Sequence, residues 1–263
     1  MASLPAANSR KTTKRSNPHL PGRACPPGIM AALPERHPLQ RCLPSTAILT
    51  IMSFHLPPSL QSESNEAALR QLRLYYGPDF GEPGYFTGAV FDGWDSSGRR
   101  TEDSNRFTAD DLVAVTFLSV RVKVRPAYLL LGPKAEHFNA LLQAIGEDRD
   151  FTDVNGRDIT SDSPAWTLDT ELRKLPDVGR TIASKLMARK RPRLVPIYDK
   201  VLRQVMGLAE GHWLPLNAAL RADDQALQKR LLELRAAVNL PESVSALRVL
   251  DVIAWRDGKE AGF

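Results

Sequence analysis

The sequence predicts a mainly α-helical domain with one small β element near residues 85–95, and three observations predict it. Apolar residues recur at helical spacing through most of residues 53–263. Polar caps, prolines and glycine stops bracket those runs. One aromatic and glycine-rich stretch breaks the period. Residues 75–94 hold seven of the 18 aromatics and five of the 16 glycines, and Tyr85 to Asp92 reads as a short strand or hairpin. Packing on a helical core is the expected use of such rings, although they could also line a nucleotide pocket or stack exposed bases.

The elements follow in order. Ser64 leads into a helix over Glu66 to Tyr76, with Leu69, Leu72 and Tyr76 on one face and Gly77 as its stop. Thr108 and Asp111 form a capping box that opens a helix running to about Val120. Pro133 begins another, where Phe138, Leu141, Leu142 and Ile145 mark the apolar face and Gly146 ends it. A polar, acidic link from Glu147 to Ser163 is expected to hinge two halves of the fold. Its Asp148, Asp150, Asp153, Asn155 and Asp158 miss the spacing of a calcium loop, so no metal site is read there. Ser163-Pro164 supplies a cap and a first-turn proline for a helix through Trp166, Leu168 and Leu172. Two later helices are read from Gln225 to Val238 and from Val244 to Trp255. There is no internal repeat.

Composition narrows the classes further. The chain has 263 residues, 43% apolar and 25% charged, which excludes a mainly disordered, collagen-like or coiled-coil protein. No apolar run approaches the roughly 18 to 20 residues of a membrane span. The only cysteines are Cys25 and Cys42. Two thiols build neither a disulfide framework nor a four-cysteine cluster, and a cytoplasmic protein is expected. Residues 1–52 contain eight of the 20 prolines and seven basic residues against one acid. They are expected to be a disordered basic extension, with natural translation starting at Met52 or at Met30. Arg10 to Arg15 could serve as a nucleic-acid-contacting arm.

Removing that extension leaves residues 53–263 with 28 basic and 29 acidic groups. Ten of the basic groups, against two acids, fall within residues 173–203. The positive field of the folded part is therefore concentrated in one short stretch. Within it, Leu175-Pro176-Asp177-Val178-Gly179-Arg180-Thr181 reads as a tight turn between two helices. The second helix starts near Arg180, and the unsatisfied amides of its first turn can hold a phosphate. Gly179 lets a backbone approach closely. Val178, Gly179, Arg180 and Thr181, with Lys185, Arg189 and Lys190 behind them, are the expected contacts to duplex DNA. Such contacts grip the backbone and carry little sequence information.

This segment resembles the helix-hairpin-helix motif of DNA-repair proteins, here placed at residues 168–190. Asp177 stands where that motif usually has its first glycine, and aspartate tolerates a left-handed conformation better than most residues. The resemblance extends from Arg173 to Gly207 toward helix-hairpin-helix DNA glycosylases. In those enzymes an aspartate begins the next helix, and Asp199 lies 18 residues after Thr181. By that resemblance Asp199 would be the catalytic carboxylate, stabilising a positively charged sugar as a base leaves or orienting the attacking water. Thr181 occupies the position that is lysine in bifunctional members, so the implied enzyme is monofunctional. The proline before Asp199 and the neighbouring Lys200 depart from the pattern. The resemblance implies no organic cofactor; it does imply a monovalent cation held by turn carbonyls. The alternative is that Asp199 is only a helix cap.

From about Leu69 to Trp255 the chain also resembles a bacterial domain family of unknown function. Tyr75-Tyr76, the Tyr85-to-Trp94 stretch, Asn105-Arg106-Phe107, Trp166 and the Leu175-to-Asp199 block carry that likeness. It implies one domain over residues 53–263 and no particular activity. The expected function is sequence-independent DNA binding through the hairpin, with glycosylase-like repair chemistry at Asp199. The competing expectation is a non-catalytic structural or protein-interaction domain in which the hairpin merely joins two helices.

Overall fold

The computed structural model describes residues 54–77, 86–208 and 211–263, all within one unit that runs from Leu49 to Phe263. The expectations for residues 1–52, both cysteines included, lie outside the described residues.

Eleven helices occur among them: α1 (Pro58–Gln61), α2 (Glu66–Tyr76), α3 (Val90–Gly93), α4 (Ala109–Phe117), α5 (Val124–Leu131), α6 (Ala135–Ile145), α7 (Pro164–Arg173), α8 (Arg180–Lys190), α9 (Lys200–Met206), α10 (Trp213–Ala237) and α11 (Ala246–Glu260). Local chemistry sets many of their ends. Gly77 and Gly146 stop α2 and α6 at φ of 70° and 81°, a region that glycine enters without steric cost. Asp111 accepts the Thr108 amide at 2.8 Å and so closes the expected box at the start of α4. That helix ends at Phe117, earlier than its pattern suggested, and Ser119 turns the chain at φ 59°. Ser163 Oγ accepts the Trp166 amide at 3.2 Å and caps α7. Inside α10, residues 222–225 leave helical geometry, so the expected start near Gln225 marks a real break.

Two sequence expectations are corrected. No strand occurs among the described residues, and the β element near residues 85–95 is absent there. A 3-10 turn from Thr87 to Ala89 runs directly into α3 instead, while Tyr85 lies outside the described residues. Of the described rings that suggested a strand, Phe91 is a core residue and Phe86 packs partly buried against that core. The acidic link is likewise no hinge. Its Phe151, Val154 and Ile159 are buried, and Asn217 on α10 donates to the Phe151 and Val154 carbonyls. Three apolar anchors among the acids override the polar composition that read as a linker.

Two helices form the centre. Every residue of α11 from Ala246 to Ala254 is buried, and so is every residue of α8 from Ala183 to Lys190. A helix covered on all sides belongs inside a domain. Helix α11 packs on α9, α2 and α10, while α8 packs on α4 and α7. Gly258 permits the close approach of α11 to α9, because a Cβ there would lie 2.3 Å from Val201.

Candidate active-site cleft beside the hairpin

The turn between α7 and α8 is built by its own backbone. The Val178 amide donates to the Leu175 carbonyl at 3.2 Å, and the Ala183 amide to that of Gly179 at 3.0 Å. Asp177 takes φ 61°, the left-handed conformation that a glycine would otherwise supply. Its carboxylate meets the Lys123 ammonium at 3.0 Å, so its charge is balanced where it would repel a phosphate. Gly179 is the N-cap of α8 and provides no capping side chain. A Cβ at Gly179 would meet nothing within 4 Å, so the start of α8 opens outward. The turn fits the implied monovalent cation poorly. Two of its carbonyls already accept amides, and Lys123 supplies positive charge beside it.

The expected basic surface is not where the sequence put it. Lys185, Arg189 and Lys190 are buried, together with Arg191. Lys190 pairs with the buried Asp111 and donates to the Asp103 carbonyl at 3.0 Å. Arg189 donates to the Phe91 and Trp94 carbonyls at the end of α3 and lies 3.4 Å from Asp111. Arg191 reaches the carbonyls of Leu142 and Gly146 at the end of α6 and that of Ser104. Lys185, Arg189 and Arg191 satisfy carbonyls at the ends of α4, α3 and α6 that would otherwise be orphaned, on the negative side of the helix dipole, while Asp111 holds Lys190. They are therefore removed from the expected phosphate contacts. Desolvation pulls Lys190 and Arg191 below their ordinary values and brings Arg189 down to about 10.

Exposed positive charge beside the turn comes from Arg121, Lys123 and Arg125, which lie with Asp177 along one shallow groove. Sequence reasoning missed them. The alternation Arg121-Val122-Lys123-Val124-Arg125 was the signal that could have found them.

Thr181 in the first turn of α8 and Asp199 at the start of α9 open into one cleft of about 420 Å³. Asp199 Oδ1 accepts the Val201 amide at 2.8 Å, so the residue is a helix cap. Its Oδ2 lies 3.1 Å from Lys185 Nζ, which also donates to the Leu118 carbonyl at 2.9 Å. Ser184 pins the approach to Asp199, accepting the Tyr198 amide at 3.0 Å. The amine that Thr181 lacks is thus present one helical turn further on, at Lys185.

Aromatic rings form the opposite wall. Tyr75 and Phe86 stack at 5.6 Å with planes 10° apart, and Trp255 meets Phe86 edge-on at 5.4 Å. Gly88 is essential to this wall, since a Cβ there would fall 2.0 Å from the Tyr75 hydroxyl. At the floor, Arg248 binds Asp92 and Asp251 and donates to the Tyr75 hydroxyl at 2.8 Å. Burial pushes Tyr75 up to about 12, despite the opposing pull of Arg248. Burial likewise raises Asp251 to about 6, with nearby Asp199 adding to the rise and Arg248 and Lys185 resisting it. The cleft therefore holds two carboxylates in different settings: Asp199 is tethered to an amide and an ammonium, whereas Asp251 is bound by the buried Arg248.

Among the described residues no group of His, Cys, Asp and Glu is arranged to hold a metal ion, and no helix is long and apolar enough to cross a membrane. No curated protein and no solved structure matches the chain. Residues 68–258, from the first turn of α2 to the last turn of α11, match the family of unknown function DUF6308, and the chain belongs to that family.

Proposed function

We propose that this protein binds duplex DNA by sequence-independent phosphate contacts at the hairpin. We further propose that the adjoining cleft acts as a monofunctional, glycosylase-like site on a nucleotide drawn out of the duplex. One observation carries the reading: Thr181, in the first turn of α8, and Asp199 border the same aromatic-walled cleft. Phosphates would lie on the amides of residues 179–181 and on Arg121, Lys123 and Arg125. A base turned into the cleft would rest against Phe86 and Trp255. Asp199 would then stabilise positive charge at the sugar carbon or orient water toward it.

The full chain should bind a random-sequence duplex with affinity that falls steeply as salt rises. Gly179→Glu tests the hairpin without disturbing the fold, because φ −86° suits any residue and the added Cβ has open space. It should weaken every duplex alike. Unchanged binding in this variant removes the hairpin from the interface. For the chemistry, a panel of damaged duplexes is scored for abasic sites with wild type and Asp199→Asn. Base release that vanishes in the variant supports catalysis; no release from any lesion leaves DNA binding alone. A borohydride-trapped complex would transfer the nucleophile's role to Lys185 and end the monofunctional reading.

A second reading has its own support. Both Asp199 oxygens are engaged, one as cap and one with Lys185, and that arrangement suffices for a structural role.

A further inference from the structure

Six large apolar side chains stand exposed among the described residues, and three of them share the eight-residue helix α5. Val124 is 86% exposed, Tyr128 66% and Leu131 39%. Their spacing of four and then three residues places them in one stripe along the helix. The other side of α5 is ordinary core, since Pro126 and Leu130 are buried. The stripe begins inside the basic segment: exposed Arg121, Lys123 and Arg125 surround Val124. It is also continuous with the hairpin, because Lys123 reaches Asp177 at 3.0 Å.

We propose that this stripe is a nucleic-acid contact in which Tyr128 and Val124 enter a locally unstacked site of the duplex while the neighbouring cations hold the flanking phosphates. The proposal rests on the DNA-binding reading and assigns that interface its base-contacting element. Charge complementarity selects the occupant. An apolar tip ringed by cations matches a polyanion that exposes flat apolar faces where its stacking is broken. A lipid surface fits less well, since one short helix with three apolar side chains offers little area to bury. An aromatic ring is suited to fill the gap left by a nucleotide turned out of the stack, because every base offers it a face. The cleft provides a place for such a nucleotide, and Tyr128 would occupy the space it vacates.

The test compares the full chain with Tyr128→Ala and Arg125→Ala on two duplexes of one sequence, one fully paired and one carrying a central mismatch. All three proteins should share one denaturation midpoint, as both residues are exposed. Tyr128→Ala should lose about tenfold in affinity for the mismatched duplex and less than twofold for the paired one, with the salt dependence unchanged. Arg125→Ala should weaken both duplexes alike and flatten the salt dependence by about one charge. If wild type binds duplex and Tyr128→Ala binds both forms as wild type does, the proposal is overturned. Equal losses on both duplexes overturn it as well. Wild type that binds neither duplex ends the DNA-binding reading itself, a separate outcome. Anionic phosphatidylserine vesicles serve as the last arm. Sedimentation of wild type with them, abolished in Tyr128→Ala, together with unaltered DNA binding, overturns the proposal in favour of a lipid surface.

Discussion

Two basic stretches of this chain invite comparison. Residues 121–125 carry three cations in five positions, and residues 185–191 carry four in seven. The first stretch has no regular helix before Val124 and displays its charges to solvent beside the hairpin turn. The second is helical and buried, and its charges point at carbonyl groups at the ends of α3, α4 and α6 and at Asp111 and Asp199. A cation count locates positive charge along a chain; whether that charge makes a field outside the protein depends on its partners. Buried, it acts as structural mortar, where removing one partner leaves the others desolvated and unpaired. Exposed, it contributes little to stability and remains available to a ligand.

The largest expected effect is on the buried side. Arg191→Ala would strip hydrogen bonds from the Leu142, Gly146 and Ser104 carbonyls at once. A loss of about 3–5 kcal/mol in urea denaturation is expected. The exposed triple variant Arg121→Ala/Lys123→Ala/Arg125→Ala should stay within about 0.5 kcal/mol of wild type. Comparable losses in the two proteins would break the comparison. The same triple variant should lose most of the salt-sensitive part of duplex binding that the proposed function requires.

Titration sharpens the contrast at the cleft floor. Asp251 is largely buried at the cleft floor, faced by Arg248 from its own helix, by Lys185 from α8 and by Asp199 at the start of α9. Its folded pKa near 6 exceeds the unfolded carboxylate value of about 3.9, so the native state binds the extra proton between those two values. Stability contributed by that proton is present at pH 4 and is lost as pH rises through 6. Asp251→Asn should flatten this part of the stability profile by about 2–3 kcal/mol between pH 4 and 7. The part due to Asp148, also raised to about 6 by burial, should remain. An unchanged slope in the variant would show that Asp251 does not titrate in this window.

The smallest effect concerns the surface pair at the turn. Asp177→Gly keeps the left-handed conformation at φ 61° and releases Lys123 from its carboxylate. Stability should change by no more than about 0.5 kcal/mol, as expected for an exposed ion pair. Duplex affinity should rise about twofold to threefold as one negative charge leaves the interface. Weaker binding would place the phosphate path away from this turn.

What the sequence determined by itself was decided within a few residues. The Thr108–Asp111 box, the Ser163-Pro164 start, the glycine stops at Gly77 and Gly146 and the left-handed Asp177 all depend on neighbours along the chain. Asp199 was legible for the same reason, as an acceptor placed where a helix begins. Burial and partnership were decided by the tertiary structure alone. The aromatic run before Trp94 folded as helix and turn because Tyr75, Phe86 and Gly88 pack against Arg248 and Trp255 of α11, far along the chain. The acidic link became a fixed element because Asn217 reaches back to Phe151 and Val154. Arg189 became an internal clamp because its carbonyl acceptors come from residues 91 and 94. The cleft exists only where these distant segments meet. A side chain's charge is written in the sequence, but the water around it is removed by residues far along the chain, and that desolvation decides whether the charge holds the fold together or faces a ligand.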